Sequence, residues 1–206
     1  MANVGWLEPW EATQPEPPTR PTSYAQMLRM VGREARAGRM LPLAVLYEGR
    51  FVGQATVSGI QWGSLRSGQI GYWVDHRVAG RGIIPTAVAL VTDHCLLALG
   101  LHRIEVNIRP ENAASLRVVE KLGFRAEGLR ERYLHIAGTW CDHLTFALTV
   151  EDVPGGLLAR WRGSTTPAPT STRRWVSNRR ITNSHLFRGE DDTPSRDSHQ
   201  SQESQR

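Results

Sequence analysis

The sequence predicts an α/β (α+β) fold over residues 1–159, followed by a tail at 160–206 with no fold of its own. Three observations predict it. Gly71 to Gly82 reads as a short strand running through a glycine loop into an apolar helical run, Ile83 to Leu99. A strand (His102 to Ile108), a second helix opened by Asn112, and another strand closed in by Leu122-Gly123-Phe124 follow in turn. Beyond them lie two long alternating segments, Ala126 to Ile136 and Trp140 to Val150, joined by Ala137-Gly138-Thr139 as an antiparallel pair. Strands that alternate with helices and then a hairpin describe a mixed sheet packed by helices.

The first residues are aromatic and abrupt, with Trp6 and Trp10 flanking Pro9. From Gln14 to Pro21 four prolines among polar residues read as a linker. Thr22 or Ser23 can cap a helix to about Arg39, whose apolar face would be Tyr24, Met27, Leu28, Val31 and Ala35. Leu43 to Glu48 and Phe51 to Ser58 read as strands joined by a tight turn at Glu48-Gly49-Arg50. Gly63 to Gly68 is another turn, and Gln69 to Val74 the strand that delivers the glycine loop. Pro85 suits the first turn of the next helix, where a missing N–H costs little. Glu151 to Trp161 reads as a short closing helix. From Gly163 onward Ser, Thr, Pro, Arg and Gln offer too little apolar surface to offset ordering entropy, so disorder is expected.

The loop Arg77-x-x-Gly80-Arg81-Gly82 has the chemistry of an anion cradle. Its two glycines allow a tight turn and a close approach by a ligand. The free N–H groups and positive dipole end of the following helix face the same space. Pyrophosphate suits such a cradle, although a plain glycine turn between strand and helix would leave the same trace.

Charge and cysteine content exclude several classes. Residues 1–159 carry 16 basic and 15 acidic side chains, net +1, whereas 160–206 carry 9 and 5, net +4. The basicity therefore belongs to the tail, and a nucleic-acid-binding domain is not supported. Arg173-Arg174 and Arg179-Arg180, around Trp175, are the one place where RNA could be touched, a solvated tail being the simpler account. All basic residues but Lys121 are arginine, which fits a GC-rich coding bias. Cys95 and Cys141 have no metal-ligand spacing and form no disulfide framework, and Cys95 falls on the apolar face of its helix. No apolar run reaches the ~18 residues a membrane span needs, and no signal peptide is read, so a cytoplasmic location is expected.

Taken together, Gly71-Tyr72-Trp73, Arg77-x-x-Gly80-Arg81-Gly82, Asn112-x-x-Ser115, Glu120-Lys121-Leu122-Gly123-Phe124-x-x-Glu127-Gly128, Arg132-Tyr133-Leu134, Gly138-x-Trp140 and Asp142-His143 make a pattern. In this order they resemble the GNAT family of acetyl-CoA-dependent N-acetyltransferases, and within it the RimJ/RimL branch, which acetylates the α-amino groups of protein N-termini. The resemblance runs from about Trp6 to Val153. It implies a mixed central sheet flanked by helices, with acetyl-CoA as acetyl donor. It also implies that the family's first N-terminal strand is missing here, because Trp6-Leu7-x-Pro9-Trp10 stands only five residues from Met1. That would leave the edge of the strand at Leu43 unpaired.

The resemblance further implies pyrophosphate on the backbone of Arg77, Val78, Ala79, Gly80, Arg81 and Gly82, and pantetheine along Trp73-Val74. Asn112 and Ser115 would face the cofactor, Ser115 as hydrogen-bond donor to the leaving thiolate; helix capping accounts equally for both. A Glu and Tyr pair found in one GNAT branch is replaced by Asn107 and Val119. Glu105, on the Asn107 face of its strand, is then the candidate base, or else a structural carboxylate. Trp10, Tyr133, Asp142 and His143 are expected on the acceptor side; His143 has the pKa of a proton relay, and cross-strand hydrogen bonding is its alternative. The acceptor is expected to be a protein N-terminus. A small amine such as an antibiotic or polyamine is one alternative, and a CoA-binding protein without chemistry is the other.

Overall fold

The computed structural model describes residues 3–16 and 23–163. The tail from 164, with its arginine pairs, lies outside the described residues, as do Thr22 and part of the proline linker. A short helix α1 (Val4–Leu7) and a helical turn (Glu8–Trp10) are followed by α2 (Tyr24–Arg36), β1 (Leu41–Tyr47), β2 (Arg50–Gln61) and β3 (Ser67–Val74). Then come α3 (Ile83–Asp93), extended by a wide π turn at His94–Ala98, β4 (Arg103–Ile108), α4 (Ala113–Leu122), β5 (Arg125–Ile136), β6 (Thr139–Thr149) and α5 (Leu157–Gly163).

One sheet holds the order β1-β2-β3-β4-β6-β5. All pairs are antiparallel except β3 with β4, which the α3 crossover makes parallel. The two connecting turns are tight because both central residues accept left-handed backbone: Glu48-Gly49 (φ 51° and 73°) and Ala137-Gly138 (φ 48° and 84°). β1 is an edge strand. Alternation decides which face is dry: Ile104, Val106 and Ile108 of β4 and Leu144, Phe146 and Leu148 of β6 are buried under α3 and α4. Glu105, Asn107 and Thr145 point to the opposite face, as the alternation in the sequence predicts.

The most informative pairing is the weakest. β3 and β4 bond only over Ser67–Gln69 and Arg103–Glu105, after which both strands continue without each other to Val74 and Ile108. A gap therefore opens at their C-terminal ends. Because α3 follows β3 and α4 follows β4, both helices begin beside that gap, with their free N–H groups and positive dipole ends toward it.

Two expected helices differ. The apolar face of α2 packs against little: no residue of the helix is buried, and Tyr24, Met27 and Leu28 are exposed. Local chemistry makes the helix instead, through a capping box in which Ser23 and Gln26 satisfy each other's backbone N–H. The closing helix starts at Leu157, later than the expected Glu151. Val150–Asp152 is a separate helical turn, and the Asp93 carboxylate of α3 accepts from the N–H groups of Leu157 and Leu158 at 2.5 and 2.9 Å. That cap sets where α5 begins, and it cannot be seen from local sequence. Cys95 is fully buried, and burial pushes its thiol up to about 11, as suits a core residue.

Candidate active site

The gap between β3 and β4 opens into a cleft of about 580 Å³. Trp73 and Val74 line it from β3, and Val78, Ala79, Gly80 and Gly82 from the following loop. Asn112, Ser115, Arg117 and Lys121 contribute from α4, and Trp6, Leu7, Trp10 and Glu11 from the N-terminal segment.

The glycine loop has the geometry of a cradle. Gly80 and Gly82 hold φ of 82° and 77°, in the left-handed region that favours glycine, and a Cβ on either would meet nothing but open space. Among the described residues the N–H groups of Gly80, Arg81 and Gly82 have no protein acceptor. Unpaired donors in a row at a helix N-terminus fit a phosphate group. The arginine side chains of this loop lie elsewhere. Asp75 accepts from the Arg77 N–H at 2.9 Å and grips its guanidinium, whose hydrogen bonds hold the Asp75 carboxyl far below the usual carboxylate range. Arg77 thus braces the loop, and Arg81 lines a separate shallow groove between β1 and α3. Of these two residues only Arg81 offers the cradle a free backbone N–H, since the Arg77 N–H is taken by Asp75.

At the start of α4 the two roles of Asn112 and Ser115 separate. The Asn112 carboxamide accepts from the Ser115 N–H at 3.0 Å, so Asn112 is the cap. The Ser115 hydroxyl has no partner among the described residues and lines the cleft. Tyr72 crosses from β3 and donates to the Ser115 carbonyl at 3.4 Å; burial pushes its phenol above the ordinary range, so it stays a neutral donor. Sequence reasoning missed Tyr72, although it sits inside the quoted Gly71-Tyr72-Trp73.

The expected base and acceptor residues on the late strands are not brought to the cleft. Glu105 is held between Arg103 (2.9 Å) and Arg130 (3.0 Å), on the polar sheet face. The Tyr133 hydroxyl reaches Gln69 at 3.3 Å, with the Arg130 guanidinium over its ring. Asp142 accepts from the Arg132 N–H at 2.8 Å and so supports a left-handed residue (φ 48°) in a bulge of β5. His143 is buried, its Nδ1 3.0 Å from the Cys141 carbonyl; burial lowers its pKa, which disfavours a charged relay. Glu105, Tyr133 and His143 build the polar sheet face, while Asp142, which alternates with His143 along β6, supports the β5 bulge. The cue for Glu105 was available: Arg103, two residues away, shares its strand face.

Trp10 does line the cleft, and the segment that carries it straps the gap. Asn3 bonds His76 beside the cradle, and the Trp6 indole donates to the Val74 carbonyl at 3.1 Å. Arg109, at the tip of β4, donates to the Pro9 carbonyl at 2.9 Å and lies over the Trp10 ring. Thr13 then bonds His135 of β5.

Comparison with known proteins agrees with this geometry. The Acetyltransferase (GNAT) domain family matches residues 3–125. The chain is 30% identical over 156 residues to the ribosomal protein uS5-alanine N-acetyltransferase of Escherichia coli (strain K12), covering 74% of this chain and 80% of that enzyme. It is 40% identical over 103 residues to the protein named "Probable N-acetyltransferase YjcK" of Bacillus subtilis (strain 168), 50% of this chain and just 57% of that relative's length. The solved structure of Mycobacterium smegmatis RimJ in complex with CoA-disulfide matches with a TM-score of 0.72 at 42% identity, over 77% of this chain and 78% of that one. The chain belongs to the GNAT family of acetyl-CoA-dependent acetyltransferases, with a RimJ enzyme and a ribosomal-protein alanine acetyltransferase among its relatives.

Proposed function

We propose that the chain is a cytoplasmic N-acetyltransferase that moves the acetyl group of acetyl-CoA onto the α-amino group of a protein N-terminus. The observation that carries the reading is the single cleft itself. A phosphate cradle and a spare hydroxyl lie on one side of it, and an aromatic strap with a carboxylate on the other. The name of the uS5-alanine relative supports an N-terminal alanine as acceptor.

When bound, acetyl-CoA supplies an acyl group activated as a thioester. The N–H groups of Gly80, Arg81 and Gly82 would hold its pyrophosphate, and the β3 edge that faces away from β2 at Trp73-Val74, where the Trp6 indole now holds the Val74 carbonyl, would align its pantetheine arm. The α-ammonium first gives one proton to water; the neutral amine nitrogen then bonds to the carbonyl carbon and sheds its second proton as the carbon–sulfur bond breaks and sulfur takes up one. Ser115 is the residue placed to donate to that sulfur, since Asn112 already performs the capping. Holding both partners in one cleft contributes most of the acceleration, roughly 7–11 kcal/mol for a near-attack pose.

The test is CoA release with an N-terminal-alanine peptide, the same peptide N-acetylated, spermidine and an aminoglycoside. Turnover confined to the free α-amine is expected, with the acetyl group located there by mass spectrometry. Turnover confined to the small amines would overturn the reading.

A further inference from the structure

The geometry points to Glu11 as the group that recognises the acceptor, holding its α-ammonium beside the indoles of Trp6 and Trp10 by charge-assisted hydrogen bonding. This rests on the function proposed above and names how that site reads its amine.

Glu11 is the single carboxylate among the residues that line the cleft; the other charged lining residues are Arg117 and Lys121. Both cations stand on α4, whose N-terminus adjoins the phosphate side. The charged groups that line the cleft are therefore divided, cations on α4 and a carboxylate on the strap, with the Arg109 guanidinium engaged over the Trp10 ring. An ammonium ion is repelled from the first and attracted to the second. The remaining carboxylates that sequence or position would nominate are engaged: Glu105 with two arginines, Asp75 with Arg77, Asp142 with the Arg132 N–H. Glu11 has no hydrogen bond or ion pair among the described residues, and its side chain is exposed to the cleft.

Its position is nevertheless fixed by its neighbours. On one side, Arg109 holds the Pro9 carbonyl and packs over Trp10. On the other, Ala12 bridges Ile136, and Thr13 donates its N–H to the His135 carbonyl at 2.8 Å. A free carboxylate on a backbone pinned at both ends is preorganised for a ligand. An indole beside a carboxylate also attracts organic ammonium ions, and Trp6 offers one in the cleft, whereas Arg109 already lies over the Trp10 ring.

The experiment is steady-state kinetics of Glu11→Gln and Glu11→Asp with an N-terminal-alanine peptide, beside calorimetry of acetyl-CoA binding. Glu11→Gln should raise the peptide KM about 10- to 100-fold, the worth of a charge-assisted hydrogen bond. Its kcat should stay within about twofold and its acetyl-CoA affinity should not change, while Glu11→Asp recovers part of the loss. An unchanged peptide KM, or a fall in kcat alone, overturns the role of Glu11 while leaving the proposed function intact. If the wild-type protein acetylates no peptide, the proposed function fails instead. The KM comparison then moves to whichever of spermidine and the aminoglycoside is consumed, and a flat result there overturns Glu11 as well.

Discussion

The two sides of the cleft are built on different principles. The proposed donor side is made of backbone: amides of the Gly80–Gly82 loop, the starts of α3 and α4, and the edge that β3 exposes when it leaves β4. The proposed acceptor side is made of side chains on a strap, Trp6, Trp10 and Glu11, held by contacts to residues some seventy to a hundred and twenty positions away. Backbone recognition demands glycines and caps at fixed spacing, so it is conspicuous in a sequence. Side-chain recognition requires only that a few residues be carried to the right place by tertiary structure. The difference predicts how each side responds to substitution.

The largest effect should come from the backbone side. Gly82→Val forces a β-branched residue into a left-handed backbone and puts a Cβ into the cradle. Loss of two or three charge-assisted contacts should weaken acetyl-CoA about 10²-fold or more by calorimetry. A binding loss no larger than the drop in stability would mean that the loop is a turn only.

Ser115→Ala comes next. Turnover should fall about 10²-fold, the lower end for acid–base catalysis, with acetyl-CoA affinity and melting temperature unchanged. Asn112→Ala is its counterpart. Losing the cap should cost about 1 kcal/mol, or roughly 2–4 °C of melting temperature. If the two variants exchange phenotypes, the division of roles between cap and hydroxyl is wrong.

Smaller still is the side-chain contribution to the donor. Arg117→Ala or Lys121→Ala should weaken acetyl-CoA about two- to fivefold, the scale of an exposed ion pair, and the difference should shrink in high salt. Equal effects at low and high salt would argue against a charge role.

Legibility follows the same division. The glycine loop, the Asn112 cap, the alternation of β4 and the hairpin at Ala137-Gly138 could all be read, because each is a local backbone requirement. Glu105, Tyr133, Asp142 and His143 were singled out by chemical type, and the fold gives them structural partners instead. For Glu105 the partner Arg103 lay two residues away; for Asp142 the need to support Arg132 in a bulge had no local sign. Glu11 was passed over because its meaning depends on Arg109 and His135 fixing the strap. The apolar stripe of α2 marks the opposite failure, periodicity without a surface to pack on.

The central claim is that the gap between β3 and β4 is the place of catalysis, and Gly71→Leu tests it most directly. Gly71 lies in β3 opposite Thr56, both lining the cleft, with ordinary backbone angles and nothing within 4 Å of a built Cβ. Adding a side chain there fills the cleft and strains no backbone. The account predicts a wild-type melting temperature together with weakened acetyl-CoA binding and loss of CoA release on the alanine peptide. A variant that melts, binds and turns over like the wild type would contradict it.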